Sequence, residues 1–405
     1  MGIRVGMCGV GSFATGFIPL FNAHPLVDEI ILCDLDAEKL RDRSERFGIH
    51  ATCPSLDELC ELDIDAVAII TQHWLHAPQA IQALRAGKHV YSAVPMGHSL
   101  DEITELVRAV EETGRTYMIG ETSYYYPCAI YCRERFRAGD FGRIVYGEGE
   151  YYHDYDHGLY DVYKWRGGER WRELAGDPPM LYPTHSTSMI ISVTGAHMTH
   201  VSCLGVVDEH EDGLFGVDAN IHQNEFSNES ALFRMSDGST CRINEFRRIG
   251  HPGTVGMSLY GTLGSYEEQA NAKVWVTKDA AETTDVSALL APAGIAVADV
   301  DDPMAKVTSA DGTHASASRV HDLARLPKEF IGLGNGHLGS HQFLVDDFVK
   351  ACVSGETPPN SVWDAARYMV PGVIAHESAK RGGELLEIPD FGDPPVSPVQ
   401  RRSGR

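Results

Sequence analysis

Two side chains suited to proton transfer stand three residues apart in the segment "LYPTHS", which contains Tyr182 and His185. Histidine titrates near neutral pH, and a tyrosine can share or relay the proton that it moves. Pro183 discourages a regular helix before it, so one turn of backbone after it would direct both side chains at one ligand. We predict an acid/base pair; the alternative is a helix start capped by Thr184 or Ser186 with a packed histidine.

Two further candidates for proton transfer are His153 and Glu121. His153 lies in the alternating stretch "GRIVYGEGEYYHDYD", where Tyr151 and Tyr155 would share its face. It would either line a pocket or support a residue that does. Glu121 ends the apolar stretch "YMIG", at the carboxyl edge of a parallel sheet, where ligands bind. The alternative for "ETSYYYP" is a hinge into a second domain.

A glycine-rich turn follows the first apolar stretch in "VGMCGVGSFA". Gly9 allows the tight turn and Gly11 lets the backbone approach a pyrophosphate, while Ser12 and Phe13 open the next helix. Asp34 closes the second predicted strand, where its carboxylate can accept hydrogen bonds from ribose hydroxyls. Its charge would repel a 2′-phosphate, so NAD is favoured over NADP. A glycine turn without a ligand is the alternative.

Later turns on the same sheet edge supply more candidate cofactor contacts. Thr71, His73 and His76 lie in "TQHWLHAPQA" after a predicted strand, and His76 begins a helix whose backbone would face the cofactor. Ala93 and Val94 occupy the corresponding turn of the next strand. No carboxylate pair accompanies the two histidines, so we predict no metal site.

A basic and aromatic cluster, "YKWRGGERWRE", stands out in this acidic chain. Arginine can bind an anion in a fork, and tryptophan offers a face to a sugar ring. Solvated charges on a surface loop are the alternative. Arg247 and Arg248 form a second basic patch. The candidate substrate contacts in the first cluster are Lys164, Trp165, Arg166, Arg170, Trp171 and Arg172.

The elements that must position these residues fall into two patterns. Apolar strands alternate with helices through the first 120 residues or so, which indicates a doubly wound parallel Rossmann sheet of the α/β class. Longer alternating strands follow, as in an α+β domain with a large open, mainly antiparallel sheet. We predict a first domain at 1–122, a second at 123–388 and a flexible tail at 389–405. Residues 279–330 are predicted to form a long excursion.

Helical patterns are predicted at 37–47, 76–86, 100–113, 340–353 and 362–380. Each of the first three stops near a glycine, which commonly ends a helix.

Composition narrows the class of partner. The chain has 405 residues, of which 43% are hydrophobic, and its formal net charge is −23. Such a charge argues against a nucleic-acid or anionic-membrane partner and leaves a small molecule. Nine cysteines without a C-x-x-C pair suit a reducing compartment, and the N-terminus shows neither a leader nor a spanning segment. We therefore expect a cytoplasmic protein.

The sequence resembles the glucose–fructose oxidoreductase/inositol dehydrogenase/MocA family. The likeness extends from "VGMCGVGSFA" through "GKHVYSAVPMGHSLDEITELV" to "GSHQFLVDDFVKACVSGETPPNSVWDAARYMV". The dehydrogenase branch carries Glu-Lys-Pro where this chain has Ala93, Val94 and Pro95. The resemblance therefore implies the fold and NAD, but not simple dehydrogenase chemistry.

A narrower resemblance is to the NAD-dependent family 109 of the glycoside hydrolases. That family has a Glu-Val-Pro turn, a Tyr-Ile-His-Asp strand, a Lys-Trp-Arg segment and a Tyr-Pro-Thr-His motif. This chain offers Ala-Val-Pro, "YYHD", "KWR" and "YPTH" in the same order. A family tyrosine falls near Gly253 here, which implies a related pocket with a different substrate.

The resemblance implies a redox-neutral glycosidase. Bound NAD would oxidise sugar carbon 3, the aglycone would leave by elimination, water would add, and the hydride would return. The basic cluster suggests an anionic hexoside, and an NAD-dependent sulfoquinovosidase acting on sulfoquinovosyl glycerol is the specific expectation. The alternatives are a sugar 3-dehydrogenase and a non-catalytic sugar- or nucleotide-binding protein. The family also implies a homo-oligomer.

Overall fold

The computed structural model describes residues 2–279, 282–292, 296–297, 308–309 and 313–394, without the Arg166 side chain. The chain forms two compact units. The first comprises Met1–Pro127, Leu289–Ala366 and Phe391–Arg405, and the second comprises Cys128–Ala288 and Arg367–Asp390. This division differs from the predicted domains at 1–122 and 123–388, because residues 289–366 pack with the first unit.

The first unit contains a six-stranded parallel sheet with strand order β3-β2-β1-β4-β5-β6. The order reverses between β1 and β4, and ligands of doubly wound sheets bind outside the carboxyl ends of the strands at this switch point. The predicted Rossmann sheet is confirmed. Its strands are β1 (Ile3–Cys8), β2 (Val27–Cys33), β3 (Thr52–Cys53), β4 (Ala66–Ile69), β5 (His89–Ser92) and β6 (Tyr117–Ile119).

Helix ends in the first unit follow their capping residues. Asp36 and Ser99 accept hydrogen bonds from the first-turn amides of two helices, and Gly48 and Gly114 end those helices in the left-handed conformation. These two helices have the predicted bounds, and two other predicted helices differ by one residue. The helices are Ile18–Ala23, Ala37–Phe47, Leu56–Glu61, His76–Arg85, Leu100–Thr113, the single kinked turn Gly336–Gly339, and His341–Ser354.

The element after the glycine turn differs from the prediction. A 3₁₀ turn, Phe13–Gly16, comes first, and the short helix Ile18–Ala23 follows it, with a proline in its first turn. The glycine turn is therefore followed by two short elements rather than by one continuous helix.

Helix His341–Ser354 belongs to the core of the first unit. Phe348 is fully buried, and its ring lies 6.2 Å from that of Phe21 and 5.7 Å from that of Tyr91. The Ile119 amide, at the end of β6, donates to the Asn360 carbonyl at 2.9 Å. The late segment thus completes the Rossmann sheet.

The predicted excursion at 279–330 lies partly outside the described residues. Its described parts hold helix Ser287–Leu290, two 3₁₀ turns and strands β14 (Thr283–Asp285), β15 (Ala296–Val297) and β16 (Thr308–Ser309). Of the tail predicted at 389–405, residues 395–405 lie outside the described residues.

The second unit contains a nine-stranded sheet of order β14-β13-β12-β11-β7-β10-β9-β8-β17. All pairs are antiparallel except β7 with β10, which confirms the prediction of a mainly antiparallel sheet. Its other strands are β7 (Ile144–Tyr152), β8 (Met198–Val207), β9 (Phe226–Met235), β10 (Thr240–Phe246), β11 (Thr254–Gly261), β12 (Gly264–Glu268), β13 (Lys273–Thr277) and β17 (Leu386–Glu387).

Two glycines let a helix lie close against the inner face of this sheet. A Cβ atom on Gly149 would stand 2.7 Å from the Ser186 carbonyl oxygen, and one on Gly147 would stand 3.3 Å from Ile190. Helix Thr184–Thr194 therefore approaches β7 closely. The remaining helices are Pro127–Arg137, Leu159–Gly167, Trp171–Leu174 and Val362–Lys380. Among the described residues, no helix combines the length and the apolar character that crossing a bilayer requires.

Candidate functional site

The glycine turn follows β1 and is shaped by its contact with the next strand of the sheet. Gly9 has a φ of +88°, and a Cβ atom there would lie 2.5 Å from the Ile70 carbonyl oxygen. The Gly11 and Ser12 carbonyls accept the amides that begin the 3₁₀ turn, and the Phe13 ring packs 5.3 Å from that of Phe17. Gly9 is buried, so the absence of a side chain lets the turn pack directly against the end of β4.

Asp34 ties the glycine turn to the end of β2. Its Oδ2 atom accepts from the Val10 amide at 2.9 Å, and its Oδ1 atom accepts from the Asp36 amide at 2.9 Å. The side chain is 15% exposed, and each carboxylate oxygen retains a second lone pair. The predicted acceptor therefore lies beside the predicted turn, in an arrangement that fits the ribose of a dinucleotide.

His76 links the turns after β4 and β5. The buried ring places Nδ1 2.9 Å from the Pro95 carbonyl oxygen and Nε2 3.1 Å from the Thr71 carbonyl oxygen. The Ala93 amide donates to the Ile69 carbonyl at 2.9 Å. The imidazole thus fixes the relative position of the two turns at this sheet edge.

Other predicted residues lie on these two turns. The Thr71 hydroxyl contacts Gln79 Oε1 at 2.6 Å, and Val94 is half-buried. His73 places Nδ1 3.0 Å from Nε2 of His98, so it has a different partner from His76. No group of three or more histidine, cysteine, aspartate or glutamate side chains is arranged for a metal ion in the described parts of the chain.

Glu121 is fully buried at the end of β6. Its Oε1 atom accepts from the Ser123 amide at 2.8 Å and so caps the 3₁₀ turn Thr122–Tyr125. Its carbonyl accepts from Asn360 at 3.4 Å. These contacts give it a structural role, and its catalytic role stays a prediction.

The second unit brings four of the predicted side chains together. The Tyr151 hydroxyl lies 2.7 Å from His153 Nδ1, and the Tyr151 ring lies 5.5 Å from that of His185. The ring of Tyr182 stands 5.5 Å from His185 and 6.1 Å from Tyr151. We call these four residues the ring cluster. Tyr155, predicted to share the face of His153, is instead buried in a separate hydrophobic cluster, because β7 ends at residue 152.

The backbone around Pro183 places Tyr182 and His185 as predicted, with the helix beginning at Thr184. Pro183 stands at the N-cap and the structure shows no side-chain cap from Thr184 or Ser186, but His185 is buried near the helix start, as the alternative of a packed histidine expects. Helix Val362–Lys380 supports the segment from behind, since a Cβ atom on Gly372 would clash with the Met180 carbonyl.

The sequence analysis missed a buried carboxylate beneath the ring cluster. Glu245 accepts a short hydrogen bond from the Ser186 hydroxyl, and its Oε2 atom accepts from Arg247 at 3.3 Å. The Arg247 guanidinium also lies 4.8 Å from the centre of the Tyr151 ring. Burial raises the pKa of Glu245 to about 8, although Arg247 and Ser186 act in the opposite direction.

Register explains why Glu245 lies there. It pairs with Tyr151 on β7 and with Glu229 on β9, so the three side chains form one row on the inner face. Glu229 is fully buried and contacts His376 Nδ1 at 2.8 Å and the Met180 amide at 2.8 Å. The alternation in "CRINEF" does predict a buried residue at 245, but not which groups surround it.

The segment predicted to be a basic loop is mostly helical. Most of its charged side chains pair with other groups of the protein. Lys164 pairs with Asp161 at 3.3 Å, and Arg170 pairs with Glu173 at 2.7 Å. Arg172 donates to the Asp212 carbonyl at 2.8 Å. Gly167 is the last residue of helix Leu159–Gly167, and Gly168 begins the 3₁₀ turn that leads to helix Trp171–Leu174.

Among the described residues, the structure shows no shared partner for the remaining predicted substrate contacts. Trp165 is 55% exposed, and Arg172 lies over the Trp171 ring at 4.7 Å. The Arg166 side chain lies outside the described residues. In the second basic patch, Arg248 forms an ion pair with Asp212 and lies over an aromatic ring, so its charge is engaged within the fold.

Known proteins share this architecture. The chain is 26% identical over 419 residues to a glycosyl hydrolase family 109 protein of Streptomyces niveus, covering 96% of this chain and 77% of that protein. It is 33% identical over 193 residues to one of Shewanella amazonensis, covering 45% of this chain and 42% of that protein. A levoglucosan dehydrogenase solved with NADH and levoglucosan has the same fold (TM-score 0.71, 17% identity, covering 96% of this chain and 100% of that chain).

The family model that matches is the Gfo/Idh/MocA model, described as an oxidoreductase family with an NAD-binding Rossmann fold, and the match covers residues 3–121. These residues include the glycine turn, Asp34 and all six strands of the parallel sheet. The chain therefore carries the NAD-binding Rossmann domain of the Gfo/Idh/MocA oxidoreductase family.

Proposed function

We propose that the protein is an NAD-dependent glycoside hydrolase that returns the hydride to the sugar in every turnover. The observation that carries this proposal is the ring cluster, in which two imidazoles and two phenols adjoin over a buried Glu245 and Arg247. The names of the curated relatives support it. Ala93, Val94 and Pro95 provide no ammonium group for proton transfer, so this task falls to other residues.

Each residue of the cluster has a role in this chemistry. NAD, when bound, accepts the hydride from sugar carbon 3 and supplies it again. His185 removes the proton from carbon 2, which the neighbouring ketone makes acidic, and the aglycone leaves carbon 1. Tyr182 shares that proton, and the contact between Tyr151 and His153 offers a second donor for the departing oxygen. Water then adds at carbon 1 and carbon 2 regains a proton before the hydride returns to carbon 3.

The nature of the sugar is a finer question. A sulfoquinovoside needs a cation available to its sulfonate, whereas Lys164 and Arg170 each pair with a carboxylate three residues away. Exposed pairs of this kind contribute little free energy, so a substrate can displace them. The sulfoquinovoside stays a prediction, and equal turnover of nitrophenyl glucoside and nitrophenyl sulfoquinovoside would contradict it.

The mechanism is tested by turnover of a nitrophenyl glycoside in D₂O. We expect deuterium at carbon 2 of the released sugar and no net NADH, because elimination breaks the bond between carbon 2 and hydrogen. Direct hydrolysis by two carboxylates leaves that bond intact, so a product without deuterium would contradict the proposal. One NADH per oxidised sugar would support the sugar 3-dehydrogenase instead.

We also propose a cytoplasmic location and a homo-oligomer. Light scattering after size-exclusion chromatography tests the second point, and a mass of 44.4 kDa, that of one chain, would contradict it.

A further inference from the structure

The Arg247 guanidinium is buried against the ring cluster and lies over the face of Tyr151. Its Cζ atom stands 4.8 Å from the centre of that ring, and the residue is 6% exposed. A cation in this position is attracted to the aromatic face, and the attraction is stronger where water is excluded. The Tyr151 hydroxyl in turn lies 2.7 Å from His153 Nδ1. Arg247 therefore acts on a pair of side chains that can share a proton.

The hydrogen bonds of the Arg247 side chain to backbone carbonyls are long. Nη1 lies 3.5 Å from the Tyr151 carbonyl oxygen and 3.3 Å from that of Phe246, and Nη2 lies 3.4 Å from the Pro179 carbonyl oxygen. Strong charge-assisted hydrogen bonds measure about 2.7–2.9 Å between the heavy atoms. The carbonyls therefore hold the guanidinium in place over Tyr151 and offset only part of its positive charge.

Glu245 does not neutralise Arg247 at pH 7. Its Oε2 atom lies 3.3 Å from Arg247 Nη2, and the residue is fully buried. Because burial raises the pKa of Glu245 to about 8, the carboxyl group keeps its proton at neutral pH. Glu245 also pairs with Tyr151 across β7 and β10. Its charge therefore opposes that of Arg247 at Tyr151 only above about pH 8.

Other titratable groups surround Arg247 and Tyr151. Asp177 and Tyr163 interact electrostatically with Arg247, and Asp177 accepts a hydrogen bond from the Tyr163 hydroxyl. On β11 the residue paired with Tyr151 is Val255, which carries no charge. Among the groups named, Arg247 alone is a permanent cation, because an arginine side chain does not deprotonate in proteins. The other titratable side chains of the ring cluster and of its row on the sheet are His153, Tyr182, His185 and Glu229.

We propose that Arg247 is a positioning residue that makes the Tyr151–His153 pair a stronger acid, because its charge stabilises negative charge on the Tyr151 oxygen. In the proposed reaction the pair gives one proton to the aglycone oxygen as the bond from that oxygen to carbon 1 breaks. The water that adds to carbon 1 returns one proton to the pair. The use of this proton rests on the proposed function, whereas the effect of Arg247 on Tyr151 does not.

Carbon-13 NMR of the full chain with labelled tyrosine Cζ atoms tests the effect of Arg247. The Tyr151 signal is assigned by its loss in Tyr151→Phe, and its chemical shift reports ionisation of the hydroxyl. Arg247→Met removes the charge and keeps an unbranched side chain, so Tyr151 should ionise at a pH higher by about one unit or more. Arg247→Gln, which retains amide donors for the carbonyls, should give the same shift and serves where Arg247→Met does not fold.

Arg247→Lys keeps a positive charge and should recover roughly half of this shift or more. Arg242→Met is the matched control, because Arg242 alternates to the other face of β10 and pairs with Glu148 at 3.3 Å. It should move the ionisation of Tyr151 by less than about 0.3 unit. Ionisation of Tyr151 at the same pH in the charge-free variants and the unaltered protein, or equal shifts with methionine and lysine at position 247, would overturn the proposal.

Glu245→Gln tests the same electrostatics in the opposite direction. It removes the negative charge that Glu245 acquires above about pH 8, so Tyr151 should ionise at a lower pH than in the unaltered protein. An unchanged or higher ionisation pH would contradict the proposal, since the charge of Arg247 would then have no measurable opponent at Tyr151.

Kinetics separate this proposal from the proposed function. A nitrophenyl leaving group departs without a proton, whereas an alkyl leaving group needs one. Arg247→Met should therefore lower kcat at least about tenfold more for a methyl glycoside than for a nitrophenyl glycoside. Equal losses would overturn the role of Arg247 in acid catalysis. A product without deuterium after turnover in D₂O would refute the glycosidase mechanism, and the NMR titration would still decide the effect of Arg247 on Tyr151.

Discussion

At the scale of single residues, Asp34 binds the backbone, and we propose that it also binds the ligand. Each of its carboxylate oxygens accepts one backbone amide, from Val10 and from Asp36, and retains capacity for a ribose hydroxyl. Loss of this carboxylate therefore removes a ligand acceptor, loosens the glycine turn and removes the charge that repels a 2′-phosphate.

Asp34→Ala should weaken NAD binding by about 10–100-fold, since a hydrogen bond to a charged group contributes roughly 1.5–3 kcal/mol. The preference of the Asp34→Ala variant for NAD over NADP should also be smaller than that of the unaltered protein. Fluorescence titration with both cofactors measures the change. Asp36→Ala is the control, because this neighbouring carboxylate caps helix Ala37–Phe47 and makes no predicted ligand contact. Equal affinity of the unaltered protein for NAD and NADP would contradict the assignment.

His185→Ala should lower kcat by about 10²-fold or more, because it removes a general base, and should leave the NAD affinity unchanged. Steady-state kinetics with separate NAD titration measure the two effects. His210→Ala, an exposed histidine of the second unit, is the control. An unchanged rate would transfer the proton role to Tyr182 or Glu121.

Glu245 predicts a dependence of stability on pH. Its pKa is about 8 in the folded protein against 4.5 for an ordinary glutamate, so the folded state keeps a proton that the unfolded chain releases. The contribution of Glu245 to stability is therefore fully present below about pH 4.5 and is lost as the pH rises to about 8. Between pH 5.5 and 7.5, the free energy of unfolding from urea denaturation should fall by about 2–3 kcal/mol less in Glu245→Gln than in the unaltered protein. The exposed Glu282→Gln is the control, and an unchanged slope in Glu245→Gln would contradict the prediction.

At the scale of elements, the close approach of helix Thr184–Thr194 to β7 depends on glycine. Gly149→Ala should destabilise the protein by about 1–3 kcal/mol, because its Cβ atom would stand 2.7 Å from the Ser186 carbonyl. Urea denaturation measures the change. Gly250→Ala is the control, since a Cβ atom there meets nothing within 4 Å. Equal stability of the two variants would show that the helix can move away at no cost.

The elements differ in how far sequence predicts them. Helices with caps and a clear apolar period, such as Ala37–Phe47 and Leu100–Thr113, have the predicted bounds because local signals decide them. The basic segment around Gly167 and Gly168 was predicted wrongly as a loop. The two glycines alone do not indicate that one short helix ends there and that another begins a few residues later.

The residues of the candidate site are also only partly predictable from the sequence. Tyr182 and His185 are predictable, since Pro183 and the spacing of three residues place them within one turn. Glu245 is not predictable, because its surroundings come from cross-strand register. Register is a long-range effect that no short stretch of sequence encodes.

At the scale of the whole molecule, the first unit is not continuous in sequence. A fragment of residues 1–127 lacks helix His341–Ser354, which buries Phe343, Leu344 and Phe348, and it lacks the contact of Asn360 with β6. We expect this fragment to show no cooperative urea transition, because its core is open. The full chain is the control and should show a sharp transition. A sharp transition in the short fragment would contradict this expectation.

The late arrival of residues 289–366 also has a consequence for biosynthesis. A ribosome adds about 5–20 residues per second, so the segment that covers β6 emerges roughly 10–50 s after the six parallel strands. During that interval the nascent chain presents an open sheet edge and the apolar surface around Phe21 and Tyr91. Chaperone binding and misfolding are therefore expected to concentrate in this translational window, and synonymous codons that slow synthesis between residues 127 and 366 should lower the yield of folded protein.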